Sequence, residues 1–248
     1  MVKRTNFPFT HPFGAPLYQP PPHHYRDAHF IWVYYETKEE VLRDLLPEPV
    51  ELRSNNVVAF ILDARFSTWG SFLESGFWLQ VQFRDYRGVM EKLQYLTTEA
   101  PLCGGREIYG MEKKLGQIRM TRHPQGVSGE LERGGQKLMT LSTTLEQPGE
   151  LGELPLGDGG LMLKLIPSPE EGKPPEVCEL VFVPTAGGIA GAFKAKEFWK
   201  GTGSISFPER SEIDPVYKFE PVRIISGYYG IFDYSEPWGK VIYNYLSE

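Results

Sequence analysis

Hydrophobic positions in this chain recur mostly at a spacing of two. In 77–83, Phe77, Leu79, Val81 and Phe83 share one parity while Trp78, Gln80 and Gln82 share the other, the pattern of a strand with one face on a core. Aromatic and β-branched runs mark further strands at about 29–35 (His29-Phe30-Ile31-Trp32-Val33-Tyr34-Tyr35), 57–62 and 94–98. The stretches 117–122, 127–132 and 137–145 are joined by short Gly-containing links and predict a meander of antiparallel hairpins. Strand-like runs return at 161–166, 176–184 and 221–233, 148–160 reads as a loop, and Gly187-Gly188 and Gly201-Thr202-Gly203 punctuate later turns.

Helical spacing is confined to short pieces. Thr37 with Glu40 three residues later forms a capping pair, Val41, Leu42, Leu45 and Leu46 supply an apolar stripe, and Pro47 stops it. A short helical piece is expected between Gly104-Gly105 and Lys113; it sets Tyr109 four residues before Lys113, on the same face, where it lines any site the lysine serves. A last helix, about 234–246, would pack Trp238, Val241, Ile242 and Tyr245. Residues 1–25 hold Pro20-Pro21-Pro22, which favours extended chain and cannot donate to a sheet. They read as an arm, wrapping a neighbouring subunit or draped on the surface, and 26–248 as one domain.

Composition narrows the class. With 41% hydrophobic and 23% charged residues, 21 prolines and 26 glycines, the chain reads as a turn-rich, sheet-rich α+β protein and not a helical bundle. A net charge of −6, without a basic cluster, excludes the electrostatic footprint of a nucleic-acid binder, so the expected partner is a small molecule. No apolar run has the length of a signal peptide or a membrane span, and cytoplasm is the expected compartment. Cys103 and Cys178 are too few for a disulfide framework and lack zinc spacing, and His23-His24 and His29 lack a fourth ligand, so no metal is expected. Gly201-Thr202-Gly203-Ser204 lacks the ending of a phosphate loop, and no serine elbow occurs.

The informative chemistry is Lys113-Lys114 within Gly105-Arg106-Glu107-Ile108-Tyr109-Gly110-Met111-Glu112-Lys113-Lys114-Leu115-Gly116. Two ammonium groups held close in a poorly solvated place repel, so one releases its proton and becomes a nucleophile for ketones. Desolvation must contribute much of that effect; Lys114 either adds repulsion or faces away in an ion pair.

Gly105-Arg106-Glu107, five residues, then Lys113-Lys114-Leu115-Gly116 resembles the active-site segment of the acetoacetate decarboxylase family, and Glu74-Ser75-Gly76 stands upstream at the family spacing. Leu46-Pro47-Glu48-Pro49-Val50-Glu51, Tyr95-Leu96, Met162-Leu163-Lys164-Leu165-Ile166-Pro167, Cys178-Glu179-Leu180 and Val241-Ile242-Tyr243-Asn244-Tyr245-Leu246 extend the resemblance over nearly the whole chain. In that family a lysine beside another cation is the established nucleophile. The resemblance implies a large antiparallel cone-like β-barrel with a few short helices, a homo-oligomer, and a cofactor-free lyase that forms an imine on Lys113. Glu74 is the implied acid/base partner. Arg106 and Glu107 serve as carboxylate ligand and orienter, or as an internal ion pair.

Two positions depart from the family pattern. A second acid expected fifteen residues before Glu74 falls on Ala59, with Asp63 the nearest acid, and a family arginine falls on Ala28, with Arg26 two residues early. Three readings follow: decarboxylation of acetoacetate or another β-keto acid, aldol condensation and dehydration with pyruvate or another 2-oxo acid, and non-catalytic binding of a keto acid. Trp32, Phe60, Trp69, Trp78 and Tyr95 are the aromatic residues expected around the pocket.

Overall fold

The alternation seen in the sequence builds fifteen strands among the residues described by the computed structural model, 8–185 and 188–247. They are β1 (His23–Glu36), β2 (Glu51–Ser67), β3 (Phe72–Phe83), β4 (Tyr86–Leu96), β5 (Lys113–Leu115), β6 (Gln117–His123), β7 (Gly126–Arg133) and β8 (Gln136–Thr144). The chain continues through β9 (Gln147–Pro148), β10 (Gly159–Ile166), β11 (Val177–Pro184), β12 (Lys194–Gly201), β13 (Gly203–Ser206), β14 (Arg223–Glu236) and β15 (Lys240–Asn244). Helices are short: α1 (Glu39–Arg43), α2 (Glu99–Gly104) and α3 (Gly188–Ala192), with a π turn at Gly105–Tyr109 directly after α2. None is long and apolar enough to cross a membrane. Residues 1–7 of the expected arm and Gly187 of an expected turn lie outside the described residues.

The large sheet runs β15-β11-β10-β4-β3-β2-β1-β14-β12-β9, with β5 parallel beside β4, and a smaller sheet runs β13-β8-β7-β6. Pairing is antiparallel throughout except β4–β5 and β4–β10. The sheet-rich α+β class therefore holds, and the meander is β6-β7-β8. The large sheet stays open between β15 and β9, so the barrel description is approximate.

Strand parity sorts the interior into two layers. Ile31, Val33 and Tyr35 of β1 join Val57, Ala59 and Ile61 of β2 and Phe77, Leu79 and Val81 of β3 in a core that the small sheet covers with Leu131, Met139 and Leu141. Their neighbours Phe30, Trp32, Val58, Phe60 and Trp78 form an aromatic core on the opposite face with Tyr228 and Phe232. Each fully buried side chain of this kind contributes about 1.5–3 kcal/mol. The site opens from the aromatic layer. This corrects the half-buried reading of 77–83, since Trp78 and Gln80 are both 6% exposed and Gln80 Nε2 donates to Asn56 O at 3.2 Å.

Two helix expectations also change. Thr37 does not cap α1; its hydroxyl donates to Glu220 O at 2.8 Å, and Lys38 is the N-cap. The expected helix at 234–246 is instead the end of β14 followed by β15, which pairs with the edge of β11 through Val241–Val181 and Tyr243–Leu180. Pro237 and Gly239 break the chain between them, and Trp238 and Val241 remain half exposed.

Candidate active site

Lys113 reaches its place through a sharp local turn. After α2, the N–H groups of Gly110 and Met111 both donate to Gly105 O at 3.0 Å, closing the π turn. Gly110 then takes φ +89°, where an added Cβ would lie 2.4 Å from Lys164 Cα, so only glycine fits. The chain leaves this turn as β5, with Lys113 beside Gln94 and Lys114 beside Tyr95. Successive strand residues point to opposite faces. Lys113 faces the aromatic layer, 6% exposed, and Lys114 faces away, where Nζ meets Asp214 Oδ1 and Ile213 O, each at 2.8 Å.

Facing Lys113 is Glu74 of β3, itself 6% exposed, with carboxylate oxygens 3.3 and 3.4 Å from Nζ. Gln94 Nε2 donates to Glu74 Oε1 at 2.8 Å and also to Glu91 Oε2 of β4, joining the two acids. Glu236, at the end of β14, accepts from Tyr25 OH at 3.4 Å and lines the same cavity. The cavity holds about 120 Å³, with Phe30, Phe60, Trp78 and Met111 among its apolar walls.

Burial and the neighbouring charge of Glu74 raise Glu91 to about 8 against the opposing charge of Lys113. Burial raises Glu236 to about 7, again against Lys113, with Glu74 adding to the rise. Lys113 experiences burial that favours the neutral amine, but the negative charges of Glu74, Glu236 and Glu91 together outweigh it and hold the amine above the ordinary lysine value. His23, fully buried and stacked on Trp69 at 3.6 Å, is lowered to about 4 by burial and then by the charge of Lys113.

The residues singled out from sequence therefore separate. Lys113 and Glu74 meet, and Lys114 takes the ion-pair alternative, so repulsion between adjacent ammonium groups is not the force acting on Lys113 in this arrangement. Arg106 and Glu107 are exposed and form no ion pair with each other. Arg106 Nη1 donates to Lys113 O at 3.3 Å, and Glu107 accepts from Tyr18 OH and Thr10 Oγ1, tying residues of the N-terminal stretch to the turn. Tyr109 is not on a helical face shared with Lys113, because Lys113 is in a strand; it is buried behind the cavity and donates to Pro237 O at 3.0 Å.

Of the expected aromatic residues, Phe60 and Trp78 line the cavity, while Trp32 packs in the layer behind them. Tyr95 points to the other face and donates to Asp214 at 3.0 Å. Ala59 faces the small sheet, and Asp63 is paired with Arg65 at 2.8 Å, so neither supplies a second acid. The further acids that line the cavity are Glu91 and Glu236. Sequence reasoning missed both because they stand in strands distant along the chain. A bulge at Asp27, with φ 52°, interrupts the β1–β14 register between Tyr25 and Ala28; Ala28 is buried in the aromatic layer and Arg26 is exposed. Among the described residues no group of His, Cys, Asp or Glu is placed to hold a metal ion.

A family model described as acetoacetate decarboxylase matches residues 7–246. The chain is 27% identical over 247 residues to an acetoacetate decarboxylase of Chromobacterium violaceum, covering 97% of this chain and 96% of that protein. It is 28% identical over 245 residues to acetoacetate decarboxylase 2 of Mesorhizobium japonicum, covering 96% and 90%. The crystal structure of acetoacetate decarboxylase from Legionella pneumophila superposes with a TM-score of 0.85 at 25% identity, covering 96% of this chain and 95% of that one.

Proposed function

Because the chain belongs to the acetoacetate decarboxylase family, we propose that it is a Schiff-base lyase that decarboxylates acetoacetate or a related β-keto acid through an imine on Lys113. The contact between the buried Lys113 amine and Glu74, 3.3 Å apart in an acid-lined apolar cavity, carries this reading.

Glu74 takes a proton from the Lys113 ammonium, and the neutral amine adds to the ketone to give a carbinolamine. Glu91 and Glu236, raised to about 8 and about 7, carry protons near neutral pH and in that form place no negative charge beside the Lys113 amine. Those protonated acids donate to the departing hydroxyl, and the protonated imine forms. The bond to the β-carboxylate breaks, its electron pair passes to the imine nitrogen, and carbon dioxide leaves an enamine. Protonation at carbon and addition of water return the free lysine and the ketone, a sequence that needs no cofactor. The apolar walls favour the step because the carboxylate loses its charge as it departs. Gln94 keeps Glu74 and Glu91 in fixed relation throughout.

Borohydride reduction in the presence of acetoacetate tests the reading: peptide mass mapping is expected to find, on Lys113, an adduct that has lost carbon dioxide. Lys113→Ala removes both adduct and turnover; turnover that survives this substitution would refute the mechanism. The aldol-dehydration reading draws on one observation, the presence of two raised acids where only a single proton donor is needed for imine formation, since losing an aldol hydroxyl calls for a further donor. A stable pyruvate adduct on Lys113, with no decarboxylated product from acetoacetate, would select it.

A further inference from the structure

Outward from Lys113 the cavity adjoins a second chamber of about 680 Å³, several times larger than the inner one. The two share Tyr25, Thr185, Ala192, Tyr234, Ser235 and Pro237 as common walls and are therefore neighbouring spaces. The inner cavity is of the order that holds a benzene-sized molecule, about 150 Å³ or less, and a short keto acid fills it.

The charged groups of the outer chamber are Arg26, Lys194, Asp233 and His24. Asp233 is engaged: its carboxylate meets Lys196 Nζ at 2.7 Å and accepts the Asp27 N–H at 2.9 Å. His24 Nδ1 lies 2.8 Å from Ser235 Oγ. Arg26 rests over the Phe66 ring at 5.6 Å, and neither it nor Lys194 has a carboxylate within ion-pair distance among the described residues. The outer chamber thus presents two cations outside any ion pair among the described residues, with Arg26 near enough to Asp233 to help lower its carboxyl, on a chain of net charge −6. The inner cavity has the opposite character, three glutamates around one amine. Charge and volume together favour a molecule whose keto end enters the inner cavity and whose far end is an anion.

We propose that the outer chamber binds a distal anionic group through Arg26 and Lys194, so that the preferred substrate is a β-keto acid bearing a second carboxylate beyond its ketone. This rests on the Schiff-base reading for the chemistry at Lys113, and adds a binding site to it. The keto group stands at Lys113, the scissile carboxylate departs as carbon dioxide, and the distal carboxylate remains unreacted on the product.

Two substrates of equal chain length isolate the distal charge: β-ketoadipate, which carries it, and β-ketohexanoate, which ends in a methyl group. The protein is expected to favour β-ketoadipate in kcat/KM by about tenfold, two partly exposed charge contacts acting together, with the difference in KM and diminished by salt. In the double variant Arg26→Gln/Lys194→Gln that ratio falls toward one. A ratio near one in the unaltered protein, or a preference that survives the double substitution, overturns the proposal.

Calorimetric binding of levulinate, the product expected from β-ketoadipate, separates this proposal from the chemistry it rests on. Absence of turnover and of any borohydride adduct on Lys113 would remove the Schiff-base reading alone. Levulinate affinity about tenfold weaker in the double variant would still sustain the anion chamber, and equal affinity would overturn it.

Discussion

At the scale of the residue, the proton on Lys113 is decided by carboxylates and not by its lysine neighbour. Burial favours the neutral amine, while Glu74, Glu236 and Glu91 favour the ammonium and prevail. Replacing Glu91 or Glu236 with glutamine removes one of the charges that hold the proton and leaves burial in place. Either variant should therefore lower the pH at which the Lys113 amine becomes reactive, measured as the pH dependence of Lys113 acylation by an activated ester. An unchanged or upward-shifted inflection would show that these acids do not act on the lysine. Lys114 has the opposite assignment. Its removal takes one partner from Asp214, a side chain only 2% exposed, but leaves the contacts from Arg133 and Tyr95. Lys114→Ala should cost about 1 kcal/mol in denaturant unfolding, the range of one partly exposed charged hydrogen bond. Borohydride should still trap an adduct on Lys113. Lys113 as the reacting lysine and Glu74 beside it were legible in sequence from spacing and resemblance; which of its two alternatives Lys114 takes was not, because that follows from the parity of β5, three residues long, whose strand character the flanking glycines hid.

At the scale of the element, the turn between α2 and β5 places the amine, and its two glycines act differently. Gly105 has φ −59°, which any residue adopts, yet a Cβ there would stand 2.7 Å from Lys113 Cδ and 3.0 Å from Nζ. The lysine side chain is the part able to move. Gly105→Ala should then leave the melting temperature nearly unchanged and lower kcat by about a hundredfold, the penalty of displacing a reacting group by an ångström. Gly110 combines φ +89° with a Cβ position 2.5 Å from Lys164 N, neither of which alanine relieves. Gly110→Ala should lower the melting temperature, read by calorimetry, and a variant as stable as the parent would contradict the reading of this turn. The strand character of β3 was legible because a period of two persists over 77–83, and the β6-β7-β8 meander because short Gly-containing links punctuate it. Short elements were not. Trp238, Val241, Ile242 and Tyr245 fit a helical stripe over a single stretch, and the free edge of β11, invisible in sequence, drew Val241 and Ile242 into a strand.

At the scale of the whole molecule, the cavity gathers Glu74 from β3, Glu91 from β4, Lys113 from β5 and Glu236 from β14, and only the order of strands brings these together. Glu236 lies far from Lys113 along the chain, without a motif around it, so topology alone reveals it. Concentrating acids in this way has a consequence for folding. Glu91 and Glu236 bind protons more tightly in the folded chain, at about 8 and about 7, than at their ordinary value of 4.5. Between those limits the native state holds more protons than the unfolded chain, so stability falls as pH rises and levels off above about 8. His23 has the opposite sign: lowered from 6.5 to about 4, it makes the unfolded chain the tighter proton binder, but only below about 6.5. The window from about 6.5 to about 8 therefore isolates the two glutamates. Across it the melting temperature should decline with rising pH, and in the double variant Glu91→Gln/Glu236→Gln the decline should largely vanish. A melting temperature that rises through this window, or a slope untouched by the double substitution, would mean that the cavity acids are solvated in the folded protein as they are in the unfolded chain.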